Sequence, residues 1–227
     1  MCFDFHHYCK ELKMSRVETL LKVKESPVIA VIRMNDTTKL MKVIDALSDG
    51  GVKFLEITFT TPNALNVIEE VSKKVSSDFV VGAGTVLDPE TARAAILAGA
   101  KFIVSPALNL ETIKMAHRYD VMMVPGAFTP TEILSAWDYG ADIVKVFPAT
   151  ALGPKYFKDV KGPFPKLRLM PTGGVSVDNA GEFIKAGAYA VAAGTDLLDK
   201  EAIANDKFEI ITEKAKRMIS NVKSAQK

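Results

Sequence analysis

Eight short apolar runs, each followed by a stretch that suits a helix, set what this chain can fold into. The runs lie near residues 28–33, 53–58, 79–84, 101–105, 121–125, 142–147, 167–172 and 189–194, so they recur about every 20 to 26 residues. They are often β-branched and are apolar on both faces, as parallel strands covered on both sides should be. Helix boundaries fit between them. Asp36 precedes a segment that ends at Asp49-Gly50-Gly51, and Asp88-Pro89 opens one that ends at Ala98-Gly99-Ala100. Thr129-Pro130 opens another that ends at Tyr139-Gly140, and Asp178 starts one that ends at Ala186-Gly187. Asp or Thr before the first turn and Gly after the last are the expected caps.

Strands that alternate with helices pair in parallel through right-handed crossovers. Eight such units close most simply into a single (β/α)8 TIM barrel, here with an extra N-terminal helix over 15–25 and a closing helix over 207–224. A doubly wound open sheet is the alternative, but no Gly-x-Gly-x-x-Gly follows the first run. With 227 residues, 48% of them apolar, the chain can bury one core of that size. A net charge of +2 without a basic, aromatic-interleaved stripe argues against nucleic acid as a partner. No apolar run reaches the roughly 18–20 residues of a membrane span, and no secretory leader is evident, so a cytoplasmic protein is expected. The domain is expected over 15–227, behind a disordered extension over 1–14. Cys2, His6, His7 and Cys9 fall in that extension, and their spacing matches no familiar zinc pattern.

Two charges interrupt the apolar runs. Lys145 lies in Ile143-Val144-Lys145-Val146-Phe147-Pro148, and Glu56 in Phe54-Leu55-Glu56-Ile57-Thr58-Phe59. A lysine in such a run either pairs its charge or loses its proton, and desolvation favours the neutral, nucleophilic amine. Glu56 is on the second run and Lys145 on the sixth. Barrel layers draw on alternate strands, so the two can share a layer. A carboxylate beside an amine can shuttle protons during imine formation. The alternative is a buried ion pair, which adds little net stability against its desolvation cost.

The other strand ends add to the site, because barrel chemistry sits at the C-terminal ends of the strands. In order they carry Arg33, Glu56 with Thr58, Gly84-Thr85, Ser105-Pro106, Pro125-Gly126, Lys145 with Phe147, Thr172-Gly173-Gly174 and Gly194-Thr195. The last two pairs occupy the usual phosphate position, where backbone N–H groups and a helix N-terminus meet an anion. A lone Gly-Gly would be explained by any left-handed turn; both loops together favour phosphate. After residue 14 the only histidine is His117, on a helix and expected to be solvated. No His/Asp/Glu cluster has metal-ligand spacing, so no metal or other cofactor is expected. Trp137, Phe102 and Phe183 read as packing.

These motifs resemble the family of 2-keto-3-deoxy-6-phosphogluconate aldolases, which includes the 4-hydroxy-2-oxoglutarate aldolases. The resemblance runs from about Pro27 to the C-terminal helix. It rests on Leu55-Glu56-Ile57-Thr58, Val81-Gly82-Ala83-Gly84-Thr85-Val86, Val104-Ser105-Pro106, Val124-Pro125-Gly126, Lys145-Val146-Phe147-Pro148, Lys161-Gly162-Pro163-Phe164 and Pro171-Thr172-Gly173-Gly174-Val175. It implies a class I, metal-independent aldolase on a barrel, commonly a homotrimer, acting on a phosphorylated keto acid. It further implies Lys145 as the Schiff-base lysine and Glu56 as the general acid/base. Thr85 would meet the pyruvate carboxylate, and Thr172, Gly173, Gly174, Gly194 and Thr195 would lie near the distal phosphate. Pro106 and Phe147 would line the substrate site. Many members carry a carboxylate-binding arginine four residues beyond the glutamate. Here that residue is Thr60, and Arg33 is the candidate replacement.

Within the family the phosphogalactonate epimer and 4-hydroxy-2-oxoglutarate remain alternative substrates. Outside it, a phosphosugar isomerase or epimerase barrel would share the glycine loops but would not need a strand lysine. A silent barrel that only binds ligand would form no imine.

Overall fold

The computed structural model describes residues 14–226. The expected extension, with Cys2, His6, His7 and Cys9, lies outside those residues apart from Met14. Helix α1 (Arg16–Glu25) precedes strand β1 (Val28–Ile32), followed by α2 (Leu40–Asp49), β2 (Phe54–Thr58), α3 (Ala64–Lys74), β3 (Val80–Gly84) and α4 (Pro89–Leu97). Next come β4 (Phe102–Val104), α5 (Leu110–Arg118), β5 (Met122–Val124), β6 (Gly126–Ala127) and α6 (Pro130–Asp138). The chain then forms β7 (Val144–Val146), a 3-10 turn at Ala149–Ala151, α7 (Gly153–Lys161), β8 (Leu169–Pro171), α8 (Ala180–Lys185), β9 (Val191–Ala193), α9 (Lys200–Ala204) and α10 (Phe208–Ala225). No helix among the described residues is long and apolar enough to cross a membrane.

Every strand pairing is parallel, and the strands form two sheets. One is six-stranded and curled, in the order β5-β4-β3-β2-β1-β9; the other is three-stranded, in the order β6-β7-β8. The single eight-strand ladder expected from the runs is therefore divided. The cause lies in the fifth run. Pro125 has no N–H to give to a ladder, so the run splits there, with β5 pairing to β4 and β6 to β7. Backbone bonds cross from one sheet to the other at this break, Asp142 N to Met123 O at 3.0 Å and Lys145 N to Pro125 O at 2.9 Å. At the other junction Thr172 and Ala192 form an isolated parallel bridge, and Tyr189 N donates to Leu169 O at 2.8 Å.

The strand alternation separates two cores. Val28, Ala30, Ile32, Leu55, Ile57, Val81, Ala83, Val144 and Val146 face the helices and belong to the larger cluster. Ile29, Phe54, Val80, Phe102, Val104, Met122, Val124, Met170 and Ala192 face the opposite way and form the inner cluster, with the Phe54 and Phe102 rings 5.8 Å apart. Gly82 serves that inner core, because a Cβ there would fall on the Phe102 ring. Helix α1 closes the N-terminal ends of the strands. Val23 joins the inner cluster, Tyr189 Oη donates to Leu20 O at 3.2 Å, and Arg16 Nε lies 3.6 Å from Asp142 Oδ1. A reciprocal Ser15–Glu18 capping box starts the helix.

Two expected caps are used differently. Asp36 accepts from Thr38 N at 2.9 Å in a turn ahead of α2, whose N-cap is Lys39. Asp178 pairs with Arg217 at 2.9 Å, while Ser176 and Asn179 exchange side-chain-to-backbone bonds just before α8. In both places a nearby partner, on the local turn or on α10, outcompetes the helix start for the carboxylate.

Candidate active site

Alternation along each strand decides which side chains meet. In β2, Phe54 points to the inner core, so Glu56 and Thr58 share its face; in β7, Val144 and Val146 point to the helices, so Lys145 lies on the inner face. Both charged residues sit towards the C-terminal side of the inner cluster. Glu56 is 1% exposed and Lys145 5%. Gly84 makes the space that the carboxylate occupies, since a Cβ there would fall on Glu56 Oε1. Glu56 Oε2 is buried and has no hydrogen-bond partner among the described residues. Lys145 Nζ lies 4.8 Å from the centre of the Phe147 ring, a cation–π distance.

No carboxylate among the described residues lies within 4.0 Å of Lys145 Nζ, which sets aside a tight buried ion pair. The electrostatics run the same way. Burial holds the Lys145 amine below the ordinary lysine range, Arg33 adds to that, and Glu56 opposes it. Burial pushes the Glu56 carboxyl above the ordinary range, against the pull of Lys145 and Arg33. Arg33, just past β1, is therefore in electrostatic reach of both groups while its own side chain stays exposed. An amine whose charge burial disfavours, beside a carboxyl group whose charge burial also disfavours, is suited to add to a carbonyl and exchange protons with it.

The remaining strand ends fall into three groups. Thr85 follows Gly84 with φ of 59°, a left-handed conformation that a β-branched residue rarely holds without a surrounding reason. Pro106 is half-buried, and Gly126 admits it: a Cβ at Gly126 would fall on the Pro106 carbonyl. At the end of β8, Gly173 and Gly174 take φ of 86° and 72°, and a Cβ on Gly174 would meet Thr150 Cα at 2.8 Å. The hydroxyl of Thr172 is buried there without a partner among the described residues. Among the described residues the N–H groups of Gly173, Gly174, Gly194 and Thr195 have no acceptor, whereas Val177 N is taken by Asp196 Oδ2 at 2.8 Å. No helix begins at either loop: α8 starts at Ala180 and α9 at Lys200. The donors this corner offers are thus glycine N–H groups and a hydroxyl, not the helix end expected from the sequence.

The sequence profile of the KDPG and KHG aldolases matches residues 19–214. The chain belongs to that family. It is an aldolase, a lyase of carbohydrate metabolism. The 2-dehydro-3-deoxy-phosphogluconate aldolase of Pseudomonas aeruginosa is 36% identical over 194 residues, 85% of this chain and 87% of that one. The KHG/KDPG aldolase of Escherichia coli strain K12 is 33% identical over 198 residues, 87% of this chain and 92% of that protein. Among solved structures, a KDPG aldolase from Legionella pneumophila, with pyruvate captured at low pH as a covalent carbinolamine, superposes with a TM-score of 0.79. It is 31% identical, and the match covers 85% of this chain and 94% of that one.

One expectation about this aldolase is corrected. His117 is not solvated. It is 25% exposed, faces Gly140, whose missing Cβ leaves it room, and places Nε2 3.5 Å from Asp142 Oδ2. It sits at the N-terminal end of β7, away from Lys145, in a cluster where Asp142 also accepts from Met123 N and Arg168 stacks 4.7 Å over Trp137. Other residues at the site have little sequence signal. Gly84 was legible only as one of two alternate glycines in a run, and Thr150 packs under Gly174 from a segment with no distinguishing pattern.

Proposed function

We propose that this aldolase cleaves 2-keto-3-deoxy-6-phosphogluconate to pyruvate and glyceraldehyde 3-phosphate through a Schiff base on Lys145. The convergence of a buried, partnerless Glu56 carboxyl and a desolvated Lys145 on one inner face carries this reading. The carbinolamine captured in the Legionella relative supports it by likeness. Neutral Lys145 Nζ adds to the C2 ketone, and Glu56 relays protons as the carbinolamine loses water to become a protonated imine. Glu56, as carboxylate, then takes the proton of the C4 hydroxyl. The C3–C4 bond breaks, its electrons pass into the imine, and the aldehyde leaves. The enamine regains a proton at C3, and water releases pyruvate and the free amine.

We read the two sheets as one closed ring of eight strands over residues 15–227, with the N–H groups at Gly173, Gly174, Gly194 and Thr195 receiving the phosphate. The partnerless hydroxyl of Thr172 and the N–H groups beside it support an anionic far end, which the phosphate of this substrate supplies; 4-hydroxy-2-oxoglutarate, with a carboxylate there, is the second substrate this corner would fit. Thr85 and Arg33 would hold the keto-acid carboxylate, with Pro106 and Phe147 lining the site. A homotrimer is the expected assembly, and light scattering reads it directly.

Borohydride reduction with pyruvate, followed by intact mass and peptide mapping, tests the mechanism. A reduced pyruvyl adduct on Lys145 is expected. Folded protein that takes up no adduct would return Lys145 to a structural role and favour an isomerase or a binding protein. The carboxylate contact has its own check. Arg33→Lys should raise the Michaelis constant for the keto acid, because an ammonium cannot reproduce the two-pronged guanidinium–carboxylate contact. An unchanged constant would remove Arg33 from the site.

A further inference from the structure

Arg33 belongs to no regular element and makes no ion pair within 4.0 Å among the described residues. A long side chain on a loose loop would lose much rotamer and backbone freedom on meeting a small carboxylate. The backbone on either side of it, however, is held. Thr58 Oγ1 donates to the carbonyl of Ile32 at 3.2 Å, and Met34 N donates to Thr61 Oγ1 at 3.4 Å. The peptide groups immediately before and after Arg33 are therefore both bonded to hydroxyls at the end of β2. Those hydroxyls are themselves arranged. Thr58 Oγ1 lies 2.8 Å from Thr60 Oγ1, and Thr61 N donates to Thr58 O at 2.9 Å, closing the turn that presents all three threonines. Thr58 is 1% exposed and Thr61 3%, so water competes little for either bond. The far end of the same loop is fixed as well, because Lys39 Nζ donates to Ile203 O at 3.0 Å, Ala204 O at 2.9 Å and Asp206 Oδ2 at 3.0 Å.

We propose that Thr58 and Thr61 are positioning residues, which bracket the backbone of Arg33 so that its guanidinium stands ready at the mouth beside Lys145. This inference rests on the reading of Arg33 as the carboxylate-binding group. It explains why three hydroxyls gather at this turn, including one at Thr60, where the family resemblance would place the arginine. An arginine at position 60 would reach the site from β2 directly. An arginine at 33 comes from the neighbouring strand end and depends on how that strand end is held to β2.

The bland role of the two buried threonines is to satisfy a carbonyl and an N–H, so the test must separate that from action through Arg33. Pyruvate is a suitable probe, since it keeps the carboxylate and lacks the phosphate. The half-saturating pyruvate concentration is measured by borohydride trapping in Thr61→Val, Thr61→Ser, Arg33→Ala and the Thr61→Val/Arg33→Ala double variant, with the maximal trapping rate read separately. Loss of one neutral hydrogen bond predicts a rise of about 3- to 10-fold for Thr61→Val, and loss of the charged contact about 10- to 100-fold for Arg33→Ala. Thr61→Ser should restore the wild-type value. In the double variant Thr61→Val should add nothing to Arg33→Ala. A Thr61→Val effect that persists in full without Arg33, or is missing while Arg33→Ala is impaired, overturns the positioning role alone. An Arg33→Ala variant with normal half-saturation overturns both readings. Where Thr61→Val fails to fold, Thr58→Ser with Thr61→Ala carries the same comparison, the first expected near wild type and the second impaired.

Discussion

Lys145→Ala is expected to abolish turnover and to take up no pyruvate under borohydride, with the fold retained. Among the described residues no other lysine is buried, and alanine leaves no atom to form the imine. Lys145→Met, closer in volume, should be equally inactive, and its stability adds a second reading. Burial holds the folded-state pKa of Lys145 below the unfolded value of roughly 10.4. A group depressed in this way costs nothing above the unfolded pKa and costs stability as pH falls toward the folded pKa. Lys145→Met should therefore melt above wild type near neutral pH, with the gap closing as pH rises toward 10.4. Thermal denaturation across that range is the measurement. A methionine variant that is active, or far less stable at every pH, would make Lys145 a structural cation.

Glu56→Gln should slow turnover by about 10²–10⁴-fold, the usual size of a general acid–base contribution. The adduct on Lys145 should still form, more slowly. Here the stability sign is reversed in pH. Burial raises the folded-state pKa of Glu56 above the unfolded value of roughly 4.3. Its favourable contribution is present below that value and is lost as pH rises through the raised folded pKa. The glutamine variant should match wild type in acid and melt increasingly above it toward neutral pH. Single-turnover kinetics and melting curves on the same preparation would read both effects. Equal turnover in the two proteins would assign the proton transfers elsewhere. The two substitutions thus exchange activity for stability, as expected where a buried charge serves chemistry.

The runs predicted the strands closely because parallel strands covered on both faces need little beyond apolar, β-branched residues. Within each strand, alternation was enough to put Glu56 and Lys145 on one face. The divided ladder was also within reach, since Pro125 stood in the fifth run. What the sequence withheld depends on neighbours from distant segments. Asp36 and Asp178 looked like caps, but Thr38 and Arg217 claim their carboxylates. His117 looked solvated because a polar residue on a helix usually is, and its neighbours Gly140 and Asp142 come from a later segment. The role of the hydroxyls around Arg33 was not legible, because the partners of Thr58 and Thr61, Ile32 at the end of β1 and Met34 just past it, lie 26 and 27 residues earlier.

The absent side chain at Gly84 has a consequence for how this aldolase can vary. The volume a methyl would fill is already occupied by the Glu56 carboxyl. In a library that randomises the strand ends, position 84 should therefore be as intolerant as Lys145, although it offers no functional group. Tolerance to mutation here follows the shape of the space around the carboxyl as much as the chemistry of the residues that act. A search for new substrate preferences would do better at Thr172, Thr85 or Phe147, leaving the glycine untouched.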